Sequence, residues 1–114
     1  MAELKLVEEA VDEFDALDLE PFKVAHGEVV AIKTVKGPAV FRTPKDSEYA
    51  RYMTMLLDAK ERASAGKALC LMAVVSPDRN TFQQWIAAKP GIVITCTNAV
   101  LELAGVDTEA AVKK

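Results

Sequence analysis

The chain has 114 residues, of which 51% are hydrophobic and 27% are charged, and its formal net charge is -3. This is the composition of a globular domain, because a disordered chain is poorer in apolar residues and carries more net charge. No apolar run approaches the roughly 20 residues of a bilayer span, and the N-terminus is acidic where a signal peptide would be basic. We therefore expect a cytosolic protein that does not contact membranes.

The charge is placed unevenly along the chain. Residues 1–20 hold eight acidic residues against Lys5, about -7, whereas the rest of the chain holds nine acidic and thirteen basic residues, about +4. The acidic segment is either an arm that docks on a basic patch of another subunit or partner, or a solvated helix face. The basic residues are scattered and do not alternate with aromatic ones, so we expect no binding of nucleic acid.

The acidic segment also carries an apolar stripe. Four apolar residues recur at steps of three and four: Leu4, Val7, Val11 and Phe14. This spacing predicts an amphipathic helix over residues 1–20. A short helical piece over residues 21–26 follows, because Pro21 suits the first turn of a helix and Gly27 suits its end.

A β-hairpin is predicted over residues 28–42. Residues 29–35 are mostly β-branched, Lys36-Gly37-Pro38 indicates a turn, and a second apolar run follows. A two-stranded ribbon alone is marginal in water. The hairpin must therefore pack on helices or join the hairpins of other copies.

The helix after the hairpin is predicted from residue 44 to about residue 64. Thr43 can cap it, Pro44 suits its first position, and Asp46 can complete a capping box. The next helix, over residues 67–75, is the predicted centre of the fold, because its eight consecutive apolar residues need cover on all sides.

Two further helices complete the prediction. Ser76 caps the first of them, and the second follows an apolar stripe from Ile92 to Gly105, a residue suited to a left-handed helix end. The predicted fold class is α+β, a mainly helical small domain over residues 21–105 with four to five short helices and one hairpin. A flexible tail over residues 106–114 follows.

The sequence contains no recognisable catalytic, cofactor-binding or metal-binding constellation. His26 is the only histidine. Cys70 and Cys96 lie in apolar helical patterns, where buried free thiols are expected, although a disulfide stays open. Glycine motifs for nucleotides do not occur. We expect a protein that is not an enzyme and that uses no cofactor, metal or small-molecule substrate.

Aromatic, Ile and Met side chains on two predicted helices are the candidates for binding a partner protein. A groove that accepts a helix reads partner side chains at helical spacing. The candidate residues are Phe82, Trp85 and Ile86 on one wall and Tyr49, Tyr52 and Met53 on the other. The alternative is that all six fill the core, since Trp in particular suits either place.

The order of these elements resembles that of a known family. The features that carry the resemblance are Val40-Phe41-Arg42-Thr43-Pro44, Glu48 and Tyr49, Val74-Val75-Ser76-Pro77-Asp78, Phe82, Pro90-Gly91 and Leu103-Ala104-Gly105. Over residues 26–105 the chain resembles the small tail assembly chaperones of tailed bacteriophages and prophages. The resemblance implies a non-enzymatic protein of the host bacterial cytoplasm, often multimeric, that coats the hydrophobic tape measure protein and is absent from the finished virion.

Two functions therefore stay open. A chaperone binds the tape measure protein during tail morphogenesis and then leaves, whereas a structural tail or baseplate component stays in the virion. We also expect a homo-oligomer, because the hairpin is small, the first helix has an apolar stripe to cover, and the arm and the body have opposite charges.

Overall fold

Five α-helices and three β-strands make up the part of the chain that the computed structural model describes, residues 14–106. The strands are β1 (Val29–Thr34), β2 (Gly37–Arg42) and β3 (Val74–Ser76). The helices are α1 (Glu20–His26), α2 (Asp46–Leu57), α3 (Ala65–Ala73), α4 (Arg79–Ala88) and α5 (Ile92–Leu103). The predicted α+β class is confirmed. Most of the predicted arm and of the predicted tail, residues 1–13 and 107–114, lies outside the described residues.

The predicted hairpin is present, and a third strand completes the sheet. The strands run in the order β1-β2-β3, with both pairs antiparallel. Strand β3 pairs with β2 through Val74 opposite Phe41 and Ser76 opposite Val40, with an irregularity between the two pairs. The prediction of helix through residue 75 is therefore wrong at its end.

Helix α3 ends at Ala73 because arginines from elsewhere in the chain bind its last carbonyl groups. Arg79 donates from Nε to the carbonyl of Leu71 at 2.7 Å. Arg42 donates from Nη2 to the carbonyl of Met72 at 2.8 Å. These carbonyls therefore need no further helical turn. The β-branched residues that follow are free to pair with β2.

Helix α2 begins later and ends earlier than predicted. Its cap is Lys45 rather than Thr43, and the carboxylate of Glu48 accepts the backbone N–H of Lys45 at 2.8 Å. After Leu57 the chain turns, and a single 3-10 turn, Arg62–Ser64, leads into α3. The predicted single helix is thus replaced by a shorter helix and a turn.

The cap of α4 also differs from the prediction. The carboxylate of Asp78 accepts the backbone N–H of Thr81 at 3.2 Å and its hydroxyl at 2.6 Å. Hydrogen bonds from the Thr81 hydroxyl and N–H hold the pKa of Asp78 below its ordinary value. Asp78 therefore caps the helix, whereas Ser76 belongs to β3.

Helix α3 lies at the centre of the fold, as predicted. It contacts α2, α4, α5 and β2, and its Leu69 and Cys70 are fully buried. Cys70 and Cys96 are free thiols, and burial raises the pKa of Cys70 to about 11 and that of Cys96 to about 12. Neither thiol therefore ionises near neutral pH.

The hairpin is covered within one chain. Helix α5 packs on β1 and β2, and β3 adds the third strand. A single copy therefore supplies the support that a two-stranded ribbon needs. One of the three reasons for expecting a homo-oligomer falls away, and the oligomer itself stays a prediction.

Candidate partner-binding surface

The six residues predicted to line a partner groove do not come together on the surface. Tyr52, Phe82 and Ile86 are buried in the core. Helix α2, which carries Tyr52, packs on α3, whereas α4 packs on β3, α3 and α5. At these three positions the predicted walls are therefore closed to a partner. These three residues fill the core, as the alternative held.

The other three candidates reach the surface to different degrees. Trp85 is partly buried, and its ring packs edge-on against Phe82 at 6.3 Å between centroids. A Cβ added at Gly37 would lie 3.2 Å from Cη2 of Trp85, so the indole covers the start of β2. Tyr49 packs against the core from α2, and Met53 on the same helix is exposed.

An open surface that the predicted groove does not include surrounds Pro90. A depression of about 370 Å³ lies between residues 32–35, at the hairpin turn, and residues 89–92 with Thr95, where α5 begins. A second depression of about 500 Å³ lies on the other side of Pro90, and its apolar residues include Ala87, Val93 and Ile94. Both depressions include Pro90, and we call them together the Pro90 surface.

Two large apolar side chains are exposed on the Pro90 surface. Val35 is 78% exposed and Ile94 is 70% exposed. The turn does not depend on Val35, because the Thr34 hydroxyl accepts the backbone N–H groups of Lys36 and Gly37 and donates to the Gly37 carbonyl at 2.6 Å. The Thr34 side chain already stabilises this turn, so the Val35 side chain has no structural role there. An exposed apolar side chain of this kind can contact a partner.

The charged residues that line the Pro90 surface are all lysines: Lys33, Lys67 and Lys89. The positive end of the α5 dipole lies there as well. The first amide groups of α5 already bond to the preceding turn, since the Ile92 N–H donates to the Lys89 carbonyl at 3.1 Å. The described lining of this surface is therefore positively charged, and the first amide groups of α5 are already bonded.

Sequence reasoning missed this surface, although two signals were present. Ile94 falls outside the apolar stripe of its own helix, which indicates an exposed position. Val35 stands at a turn, where polar residues and glycine are more usual. Each signal alone is ordinary, because single apolar residues are common on protein surfaces. The fold brings the two residues to either side of Pro90.

Residues 14–106 contain no group of three His, Cys, Asp or Glu residues that could hold a metal ion. The helices found in this range include none with the length and apolar character to cross a membrane. The Pro90 surface is the candidate site considered below, because it combines exposed apolar residues with lysines.

The fold and this surface define a small α+β domain with an apolar surface edged by lysines. The chain belongs to the family described as a domain of unknown function, DUF6848, whose model matches residues 24–113. It is similar in structure to an uncharacterised protein, rbstp2171, from Bacillus stearothermophilus, with a TM-score of 0.68 at 20% sequence identity, over 84% of this chain and 100% of that chain. At that identity the likeness shows the fold alone. No curated protein matches the chain.

Proposed function

We propose that this protein is a non-enzymatic tail assembly chaperone of a tailed bacteriophage or prophage, which binds the tape measure protein in the host bacterial cytoplasm. The order of hairpin, apolar helix and final helix, on which the resemblance rests, supports this proposal. The observation that carries it is the exposure of Val35 and Ile94 on either side of Pro90. Such a surface suits a binding module for an apolar protein segment.

An amphipathic helix is the partner segment that this surface fits best. Such a helix places apolar side chains in a shallow groove at steps of three and four residues. Val35 and Ile94 would each contact one such side chain, with Pro90 between them. Lys33 and Lys89 would attract acidic residues beside that stripe. The partner segment is thus an apolar stripe with acidic neighbours.

The test is co-expression of the protein with the tape measure protein of the same phage, followed by capture of the tagged chaperone. Val35→Asp and Ile94→Asp should each lower the amount of co-purified tape measure protein at least about tenfold, because each buries a charge in the contact. Val24→Asp is the matched control, since Val24 is 86% exposed on α1 and lines neither depression. If all three variants fold and capture as much tape measure protein as the parent, the proposed surface is refuted.

Mass spectrometry of purified virions separates the chaperone from a structural tail or baseplate component. A chaperone that leaves after tail assembly should be missing from the particle. Recovery of the protein from virions in amounts comparable to known tail proteins would assign the structural role instead. The two experiments are independent, because the first measures binding and the second measures where the protein remains.

A further inference from the structure

Helix α2 carries an exposed stripe of apolar groups in addition to its buried face. The stripe is made by four exposed residues: Ala50, Met53, Thr54 and Leu57. Leu57 is 82% exposed and Met53 is 41% exposed. The Thr54 hydroxyl donates to the Ala50 carbonyl at 3.0 Å, so it is satisfied within the helix, and the threonine adds its methyl group to the stripe.

The spacing of the stripe is that of a helix that packs on another helix. Steps of three, one and three residues place the four side chains on one face, as in the seam of a coiled coil. Tyr52 and Met55 of the same helix point the other way and belong to the core. Because all four stripe residues stay exposed, the rest of residues 14–106 does not cover them.

Two opposite charges flank the stripe on the same side. Arg51 and Asp58 are seven residues apart, nearly two helical turns, and therefore lie along one line of the helix surface. Both are exposed, and the ion pairs found within residues 14–106 include neither of them. Asp58 also stands at the negative end of the α2 dipole, where a nearby cation is favourable. The flank therefore offers one cation and one anion to another molecule.

We infer that two copies of the chain pair through α2, with the two helices antiparallel and a two-fold axis between Met53 and Thr54. Leu57 of each copy then lies beside Ala50 of the other, because these residues are equally far from the axis. The two stripes cover each other along their whole length. An interface of this kind uses the same patch on both copies.

The charges on the flank identify the second copy as the occupant. Arg51 lies about 4 Å before the two-fold axis and Asp58 about 7 Å after it, at about 1.5 Å of rise per residue. The antiparallel orientation sets the same flank of both helices face to face. It therefore brings Arg51 of each copy within roughly 3 Å, along the helix axes, of Asp58 of the other. Two ion pairs of opposite charge form in one dimer.

This pairing is independent of the proposed function, because it uses neither Val35 nor Ile94. A single pair of short helices is a small contact, and small contacts belong to weak, reversible complexes. The dimer should therefore have a dissociation constant on the order of 10 µM.

Sedimentation equilibrium of the full chain between about 1 µM and about 1 mM tests the pairing. The mass of the parent should rise from that of a monomer to that of a dimer over this range. Leu57→Asp should raise the dissociation constant at least about tenfold, because it places a charge within the stripe. Ile94→Asp is the matched control, since Ile94 is 70% exposed and lies outside α2. A parent that stays monomeric, or an equal effect of the two variants, would overturn the inference.

Charge reversal tests the contact between Arg51 and Asp58. Arg51→Glu alone and Asp58→Lys alone should each raise the dissociation constant at least about tenfold, because each homodimer then contains two pairs of like charge. An equal mixture of the two variants should form a heterodimer about as tight as the parent dimer, since both of its pairs again have opposite charges. A change in the fold of either chain cannot produce this rescue. If the mixture dimerises no better than each variant alone, the proposed arrangement is wrong.

Discussion

Arg42 and Glu48 form a double hydrogen-bonded ion pair that joins the sheet to helix α2. Nη1 and Nη2 of Arg42 each donate to one carboxylate oxygen of Glu48, both at 2.8 Å. The carboxylate also accepts the N–H of Lys45, and the guanidinium also donates to the carbonyl of Met72. The end of β2, the start of α2 and the end of α3 are therefore held together at one point.

The ion pair predicts how stability depends on pH. Hydrogen bonding by Arg42, helped by the Lys45 N–H, lowers the pKa of Glu48 from 4.5 to about 2. Because the folded-state pKa is the lower one, this stabilisation is complete above about pH 4.5 and is lost as the pH falls toward 2. Between about pH 6 and pH 2, we expect the free energy of unfolding of Glu48→Gln to fall by roughly 1 to 2 kcal/mol less than that of the parent. The difference is no larger because solvent still screens the pair.

Urea unfolding of both proteins between about pH 2 and pH 6 measures this difference. The free energy of unfolding of the parent should fall more steeply with decreasing pH than that of Glu48→Gln. Other carboxylates contribute equally to both curves and cancel in the comparison. Parallel curves would show that the pair does not shift the Glu48 pKa as described.

Leu69 and Leu71 test whether α3 is the centre of the core. Leu69 is fully buried, whereas Leu71 on the same helix is only partly buried. Leu69→Ala should lower the free energy of unfolding by about 2 to 5 kcal/mol, and Leu71→Ala should lower it by less. Chemical denaturation measures both. An equal loss in the two variants would contradict the burial difference.

Gly66 predicts a close approach between α3 and α5. A Cβ added there would lie 2.8 Å from Oγ1 of Thr97, nearer than side chains pack. Gly66→Ala should therefore destabilise the fold by about 1 to 3 kcal/mol, although Ala is the better helix former. Gly91→Ala is the matched control, because it has nothing within 4 Å and a φ of -63°. It should be neutral or stabilise by up to about 1 kcal/mol. Thermal unfolding separates the two outcomes.

Trp85 was predicted either to anchor the core or to bind a partner, and its position favours the first role. Trp85→Ala should cost about 2 to 3 kcal/mol, less than full burial implies, because the ring is only partly buried against Phe82 and Gly37. Capture of tape measure protein by the folded variant should match the parent. If the variant is as stable as the parent but no longer captures the tape measure protein, Trp85 binds the partner.

Local patterns in the chain predicted several elements correctly. The β-branched run before a glycine-proline turn predicted β1 and β2. Pro21 and Gly27 predicted α1, and Gly27 has the positive φ, 80°, that favours glycine. The apolar stripe of α5 correctly predicted a helix, although the β-branched residues at its start favour a strand. Each of these signals is contained within about a dozen residues, so no distant contact is needed to produce it.

The residue at which α3 ends could not be predicted from its neighbours in the sequence. Val74 and Val75 do prefer extended backbone, but a three-residue strand is too short to show alternation. Its partner β2 lies about thirty residues earlier in the chain. Arg42 binds the carbonyl of Met72 across the same separation. These long-range contacts decide between strand and helix.

Apolar spacing and turn residues act over short distances, and they were enough to predict the α+β class, the hairpin, the buried thiols and the central place of α3. Which of the apolar residues on the predicted helices fill the core, and which exposed ones lie close together, depends on the tertiary structure. Phe82 and Tyr52 became core when α4 and α2 packed on α3. Val35 and Ile94 became one surface when the hairpin turn met the start of α5 beside Pro90. Burial depends on what the rest of the chain covers, and that is a property of the whole fold.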